Sequence, residues 1–153
     1  MAISTKDIQE IRQETGLGVM DIKEALEKAK GDKKKALEAL YKKAGDKMAK
    51  RAGRETKQGL VGSYLHGDNK LGVLVEVNCE TDFVAKNEDF IAFVKDLGLQ
   101  VASMNPENVK DLLGQDFIKD PSKKIEDLLK VIIAKTGENI VVRRFVAYRL
   151  GEE

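Results

Sequence analysis

Five apolar residues at every second position, Leu71, Val73, Val75, Val77 and Cys79, constrain this 153-residue chain more than any other feature. Side chains two apart on a strand share one face, so the run is a strand with one buried side. A second strand-like run, Leu60 to Leu65, precedes it across His66-Gly67-Asp68-Asn69-Lys70. Those intervening residues tolerate positive φ or form side-chain turns, and the pair is predicted to be a β-hairpin. A third strand is expected over Ile140 to Leu150, where the alternation is imperfect. Ile140, Val142, Arg144, Val146, Tyr148 and Leu150 fall on one side, and Val141, Arg143, Phe145, Ala147 and Arg149 on the other. Both sides mix apolar and polar positions, which is unusual for a sheet with one wet face.

Helices must cover the apolar face of this sheet. Asn87 is placed to cap a helix that opens with Glu88 and Asp89 and carries Phe90, Val94, Leu97 and Val101 as one stripe. Ser122, after Pro121, is expected to start another helix, with Ile125, Leu128, Leu129, Ile132 and Ile133 at helical spacing and an end at Gly137. Helices gathered on one face of a small antiparallel three-stranded sheet make the fold class α+β.

The N-terminal part is helical throughout. Ser4 is placed to cap a helix over about Thr5 to Glu14, with Ile3 and Ile8 spaced as a hydrophobic staple. Two glycines in Thr15-Gly16-Leu17-Gly18 end it, and a second helix starts near Met20 with Met20, Ile22, Ala25, Leu26 and Ala29 on its apolar side. After Gly31, Asp32 can cap a third helix bearing Ala36, Leu37, Leu40 and Tyr41. From Lys42 to Lys57 the composition shifts: seven basic residues against two acidic ones give a local charge of +5, while the whole chain stands at +1. With little apolar periodicity, this segment is read as a solvated helical connector. The expected domains are therefore a three-helix unit over residues 1–45, a basic connector over 46–56 and an α+β subdomain over 57–153.

The same residues exclude several functions. No apolar run approaches the ~20 residues that cross a bilayer, so no membrane association is expected. The N-terminal residues lack an apolar stretch of the kind secretory signals carry, and a lone cysteine suits a reducing cytoplasm. There is no phosphate-binding GxxxxGK[ST] loop. His66 lies in the predicted turn and Cys79 on the buried strand face, so they do not form a nucleophile and base. One histidine and one cysteine do not make a metal site. The chain is expected to be no enzyme, with no catalytic residue, no metal and no cofactor. The basic connector lacks interleaved aromatics for base stacking, and a solvated charged helix is favoured over a nucleic-acid surface.

One segment resists a purely structural reading. In Asn78-Cys79-Glu80-Thr81-Asp82-Phe83-Val84-Ala85-Lys86-Asn87, Thr81 can cap a single helical turn containing Asp82, Phe83 and Val84. So short a helix needs packing to hold it. Phe83 then either plugs the sheet edge or stands out as a rigid aromatic wedge for a partner's pocket.

Three motifs in order give this sequence a family resemblance. Thr15-Gly16-Leu17-Gly18-Val19-Met20-Asp21 with Lys23, Ala25 and Leu26, then Glu76 through Ala85, then Gly137-Glu138-Asn139-Ile140 followed by Arg143-Arg144, closely resemble the signatures of the bacterial elongation factor Ts family. The resemblance implies a ubiquitin-associated-like module over the first 45 residues and a core subdomain after it. It implies a guanine nucleotide exchange factor whose partner is elongation factor Tu, met both with GDP and free of nucleotide. Arg12, Val19 and Met20 match positions that grip the partner's nucleotide-binding domain. Phe83 matches a residue that wedges near the partner's magnesium site, and Asp82, with Thr81 and Val84 in the same turn, one that helps hold the displaced geometry. Family members usually carry a longer insertion where this chain has only Asn105 to Asp116, and many have a second core subdomain. A short chain can supply that contact from a second copy, so a homodimer is expected through the strand from Ile140 to Leu150. Two other classes compete: a plain protein-interaction module, and an RNA- or ribosome-associated factor using Lys42 to Lys57, which would show a steep salt dependence.

Overall fold

The structure, a computed structural model, describes residues 2–152. Three helices come first: α1 (Thr5–Thr15), α2 (Val19–Lys28) and α3 (Lys33–Arg51). A hairpin of β1 (Gln58–His66) and β2 (Leu71–Cys79) follows, then α4 (Asp82–Ala85), α5 (Glu88–Met104) and α6 (Val109–Gly114). A second small hairpin, β3 (Asp116–Phe117) and β4 (Asp120–Lys124), leads into α7 (Ile125–Thr136) and β5 (Ile140–Arg149). The main sheet is antiparallel in the order β1-β2-β5.

The first cap acts as the sequence predicts. Ser4 Oγ accepts from the Asp7 amide at 3.0 Å, and Ile3 and Ile8 pack beside the buried Ile11, Leu17, Ile22, Leu26, Ala36 and Leu40. The Asp7 carboxylate lies 3.0 Å from Lys33 Nζ, joining the starts of α1 and α3. Lys33 and Ser4 hold that carboxyl below its usual pKa. Gly16 sits at φ 65°, a left-handed conformation that ends α1 and that side chains resist.

The basic segment is helical as far as Arg51 and most of its basic side chains are exposed, but one of its sides is packed. Helix α3 runs unbroken to Arg51, because Leu40, Ala44 and Met48 continue one apolar side at four-residue steps. Ala44 is 2% exposed, and Met48 packs on the larger core cluster. From α7, Val131 and Ala134 reach back to the N-terminal cluster. Arg51 Nη1 donates to the Ile133 carbonyl at 2.8 Å and Arg54 Nη1 to that of Gly137 at 3.3 Å. Two of the seven basic side chains thus work as struts.

On the main sheet, Leu71, Val73, Val75, Val77 and Cys79 all face the core, against Phe90, Val94, Leu97 and Val101 of α5 and Ile125, Ile132 and Ile133 of α7. Helix α5 lies close to β1: a Cβ on Gly62 would overlap Val94 Cγ1, and one on Gly98 would come 3.1 Å from Tyr64 Cβ. The mixed faces of β5 have a physical cause. Val77 pairs with Val142 and Glu76 with Arg144, so Arg143 is an extra, bulged residue. Before the bulge Ile140 and Val142 point inward; after it, Phe145 and Ala147 do. The other face carries Val61, Leu65, Leu74, Val146 and Tyr148, all exposed, with Leu150 just beyond the strand.

Two elements differ from expectation. Ser122 does not start a helix; it lies in β4 and its hydroxyl bonds Asp120 Oδ1 at 2.6 Å, while α7 begins after Lys124, whose amide meets Asp127 Oδ2 at 2.9 Å. The β3–β4 hairpin is anchored by a side chain of α5. Gln100, 0% exposed, donates to the Asp116 carbonyl at 2.9 Å and accepts from the Ile118 amide at 2.9 Å. No helix among the described residues is long and apolar enough to cross a membrane.

Candidate functional site

Strand β2 delivers the chain to a rigid turn. Its last residue, Cys79, is buried with Sγ 3.2 Å from the Thr81 carbonyl; burial, then the nearby Glu138 carboxylate, push its thiol up to about 11. The thiol stays protonated and is no nucleophile at neutral pH. Thr81 then adopts an extended conformation (φ −126°, ψ 156°) and its Oγ1 accepts from the Val84 amide at 3.4 Å, capping α4. Amides of Ala85, Lys86 and Asn87 close on the carbonyls of Thr81, Asp82 and Val84 at 3.0 to 3.2 Å. Asn87 Oδ1 accepts from Asp89 and Phe90, which starts α5 at once.

Within this turn the side chains divide. Val84 and Ala85 face the core, whereas Phe83 is 89% exposed, the most exposed of the large hydrophobic residues described. The sheet-edge plug is therefore formed by Val84 and Ala85, and Phe83 stands in solvent. Asp82 also points outward, its carboxylate 2.6 Å from Lys86 Nζ, and it holds that ammonium above its usual pKa. An isolated aromatic ring on a fixed backbone has the form of an anchor for a partner's pocket.

The turn is tied to the loop before β5 by two carboxylates that sequence patterns do not reveal. Glu138 accepts from the amides of Glu80 (3.1 Å) and Thr81 (2.9 Å) and from Thr81 Oγ1 (2.6 Å). Glu80 accepts from the Asn139 amide at 2.6 Å and lies 3.5 Å from Arg54 Nη1. The sequence marked Glu80 and Glu138 only as members of two motifs, with nothing to show that they meet.

A second exposed patch sits at the α1–α2 corner. Thr15 Oγ1 donates to the Ile11 carbonyl at 2.8 Å and accepts from the Leu17 amide at 3.2 Å, and Leu17 is buried. That anchors a loop from which Val19 (40% exposed) and Met20 (77% exposed) project in the first turn of α2, with Arg12 exposed in the last turn of α1; Met20 thus lies off the buried side of α2, which Ile22, Ala25 and Leu26 form, and not on it as its spacing suggested. Arg12, Val19 and Met20 thus share one corner, while Thr81, Asp82, Phe83 and Val84 form a separate turn at the end of β2. His66 only meets Tyr64 Oη, at 3.0 Å, at the exposed hairpin end. Among the described residues no three His, Cys, Asp or Glu side chains gather as a metal site would need.

Comparison with known proteins places this geometry in context. A family model described as Elongation factor TS matches residues 80–153, which hold the capped turn, Glu80, Glu138 and β5. The chain is 40% identical to Elongation factor Ts of Caldanaerobacter subterraneus subsp. tengcongensis over 195 aligned positions, covering 98% of each chain. It is 41% identical to Elongation factor Ts of Moorella thermoacetica, covering 98% of this chain and 96% of the relative. The protein of that name from Geobacter metallireducens is 39% identical, covering 99% and 91%. Since 195 aligned positions must accommodate 153 residues, at least 42 positions of the Caldanaerobacter protein have no counterpart here.

Proposed function

The chain belongs to the elongation factor Ts family of translation elongation factors, and from that premise we propose that it is a guanine nucleotide exchange factor. It binds elongation factor Tu carrying GDP, hastens release of GDP, and makes and breaks no covalent bond. The observation that carries this reading is the exposure of Phe83 on a backbone turn that is capped at both ends.

Guanine nucleotides are held by contacts to their phosphates and by Mg²⁺ bridging phosphate oxygens, so shifting that cradle by ~1 Å removes much of the affinity. Phe83 acts as the wedge that shifts it. Asp82 stabilises the displaced arrangement, with Thr81 and Val84 fixing the turn beneath. Arg12, Val19 and Met20 grip the partner's nucleotide-binding domain, so that wedge and grip act on one molecule. Because the factor prefers the nucleotide-free partner, GDP must weaken its binding by the same ratio as it weakens GDP. The work is cytoplasmic, which suits a single unpaired buried cysteine.

Domain organisation follows the same division of labour, with the first 45 residues as a ubiquitin-associated-like grip, residues 46–56 as the joining segment and 57–153 as the wedge-bearing core. Between Asn105 and Asp116 only α6 links α5 to β3, and we assign the positions absent relative to longer relatives to this segment. The outer face of the main sheet is the surface for a second copy.

Release of fluorescent GDP from elongation factor Tu tests the proposal. The full chain accelerates release, and Phe83→Ala reduces that acceleration at least tenfold. Binding without acceleration would make the chain a plain interaction module, and undiminished release with Phe83→Ala would remove the wedge.

A further inference from the structure

The geometry points to Glu138 as a positioning residue for exchange: its carboxylate holds the turn that carries Phe83 in place at the end of the sheet. This rests on the exchange reading of Phe83 above. A four-residue helix does not form on its own, because nucleation costs more than one turn of hydrogen bonds returns. Phe83 itself adds nothing to the fold, being almost wholly in solvent. The turn must be fixed from beneath and from its start.

Glu138 supplies the start. Its carboxylate receives the Glu80 and Thr81 amides and the Thr81 hydroxyl, at 3.1, 2.9 and 2.6 Å. Hydrogen bonds to a carboxylate are roughly twice as strong as neutral ones. The hydroxyl has one proton, and by donating it to Glu138 Oε2 it turns its lone pairs toward the Val84 amide, which it caps at 3.4 Å. The orientation of the cap is thus set by Glu138.

The link also runs in the other direction. Cys79, the last residue of β2, pairs with Ile140, the first of β5, and beyond that pair Glu80 accepts from the Asn139 amide while Glu138 accepts from the Glu80 amide. Two side-chain carboxylates therefore continue the ladder one step past the sheet, where backbone carbonyls no longer reach. Asn139, itself buried, donates from Nδ2 to the Arg54 carbonyl at 2.8 Å and the Ala52 carbonyl at 3.4 Å. Arg54 returns to the Gly137 carbonyl and to Glu80. The clamp thereby joins the turn bearing Phe83 to the chain leaving α3, the helix that carries the N-terminal cluster.

The test uses the full chain, elongation factor Tu loaded with fluorescent GDP, and a double-mutant cycle. Glu138→Gln preserves size but replaces one accepting oxygen with a donor. It is expected to reduce accelerated GDP release about tenfold, as loss of a charge-assisted bond would. Amide hydrogen exchange at Val84 and Ala85 should quicken by a similar factor, while that at Val75 and Leu97 stays as in the parent. With Phe83 already replaced by Ala, Glu138→Gln should change release no further. Parent-like release together with parent-like protection at Val84 would overturn the proposal. So would an equal loss with and without Phe83, since that marks a general structural role. Should Glu138→Gln fail to fold, Thr81→Val cuts the same link from the other side, and Thr81→Ser, which keeps the hydroxyl, restores the rate. If Phe83→Ala alone left release unchanged, the exchange reading would fall, whereas the clamp would still be read from Val84 exchange.

Discussion

At the scale of single residues, exposure separates the side chains that hold the fold from those offered to a partner. Phe83 at 89% exposure makes few contacts within the chain, so Phe83→Ala should change unfolding free energy by no more than about 0.5 kcal/mol in a urea titration. A loss of several kcal/mol would mean that the ring is buried in solution. Val84→Ala, one position on, removes core packing and should cost about 1 kcal/mol. The sequence showed that Thr81 could cap a turn, but not which way Phe83 would point, because a single turn is too short for periodicity to assign a face. Glu138 was legible only as part of a family motif. Its three donors come from a segment nearly 60 residues earlier in the chain, and no local pattern marks that meeting.

At the scale of elements, long periodic segments were readable and short or interrupted ones were not. The alternation in β2 and the stripe in α5 correspond to buried faces, since each repeats over several turns or rungs. In β5 the single bulged residue, Arg143, reverses the alternation, so a strand with one buried face imitates a strand with none. The basic run concealed an apolar side of α3 made of Leu40, Ala44 and Met48, diluted by lysines on the other faces. The β3–β4 hairpin went unseen because its anchor, Gln100, belongs to a helix. Gln100→Leu would leave the Ile118 amide and Asp116 carbonyl without their partner and should cost about 2 kcal/mol in denaturant unfolding. Faster amide exchange at Ile118 should accompany it, and a neutral result would show that water replaces the side chain there.

For the whole molecule, three exposed apolar regions have a use in the proposed exchange. On that proposal Val19 and Met20 would grip, Phe83 would wedge, and the outer sheet face of Val61, Leu65, Leu74, Val146 and Tyr148, all exposed, would meet a second copy. Sedimentation at micromolar concentration should therefore give a dimer, and Val146→Lys, placing a charge in that face, a monomer; a monomeric parent would leave the face without the assigned partner. The fold class was legible because helices and strands follow in long blocks, whereas the packing of α3 on α7 depends on residues about 90 apart. Exchange rests on a preference between two states of one partner, read from the affinity of the full chain for elongation factor Tu free of nucleotide and saturated with GDP. Binding should be at least tenfold tighter to the nucleotide-free form, a ratio matched by the weakening of GDP affinity that the chain causes. Equal affinity for the two forms would contradict it.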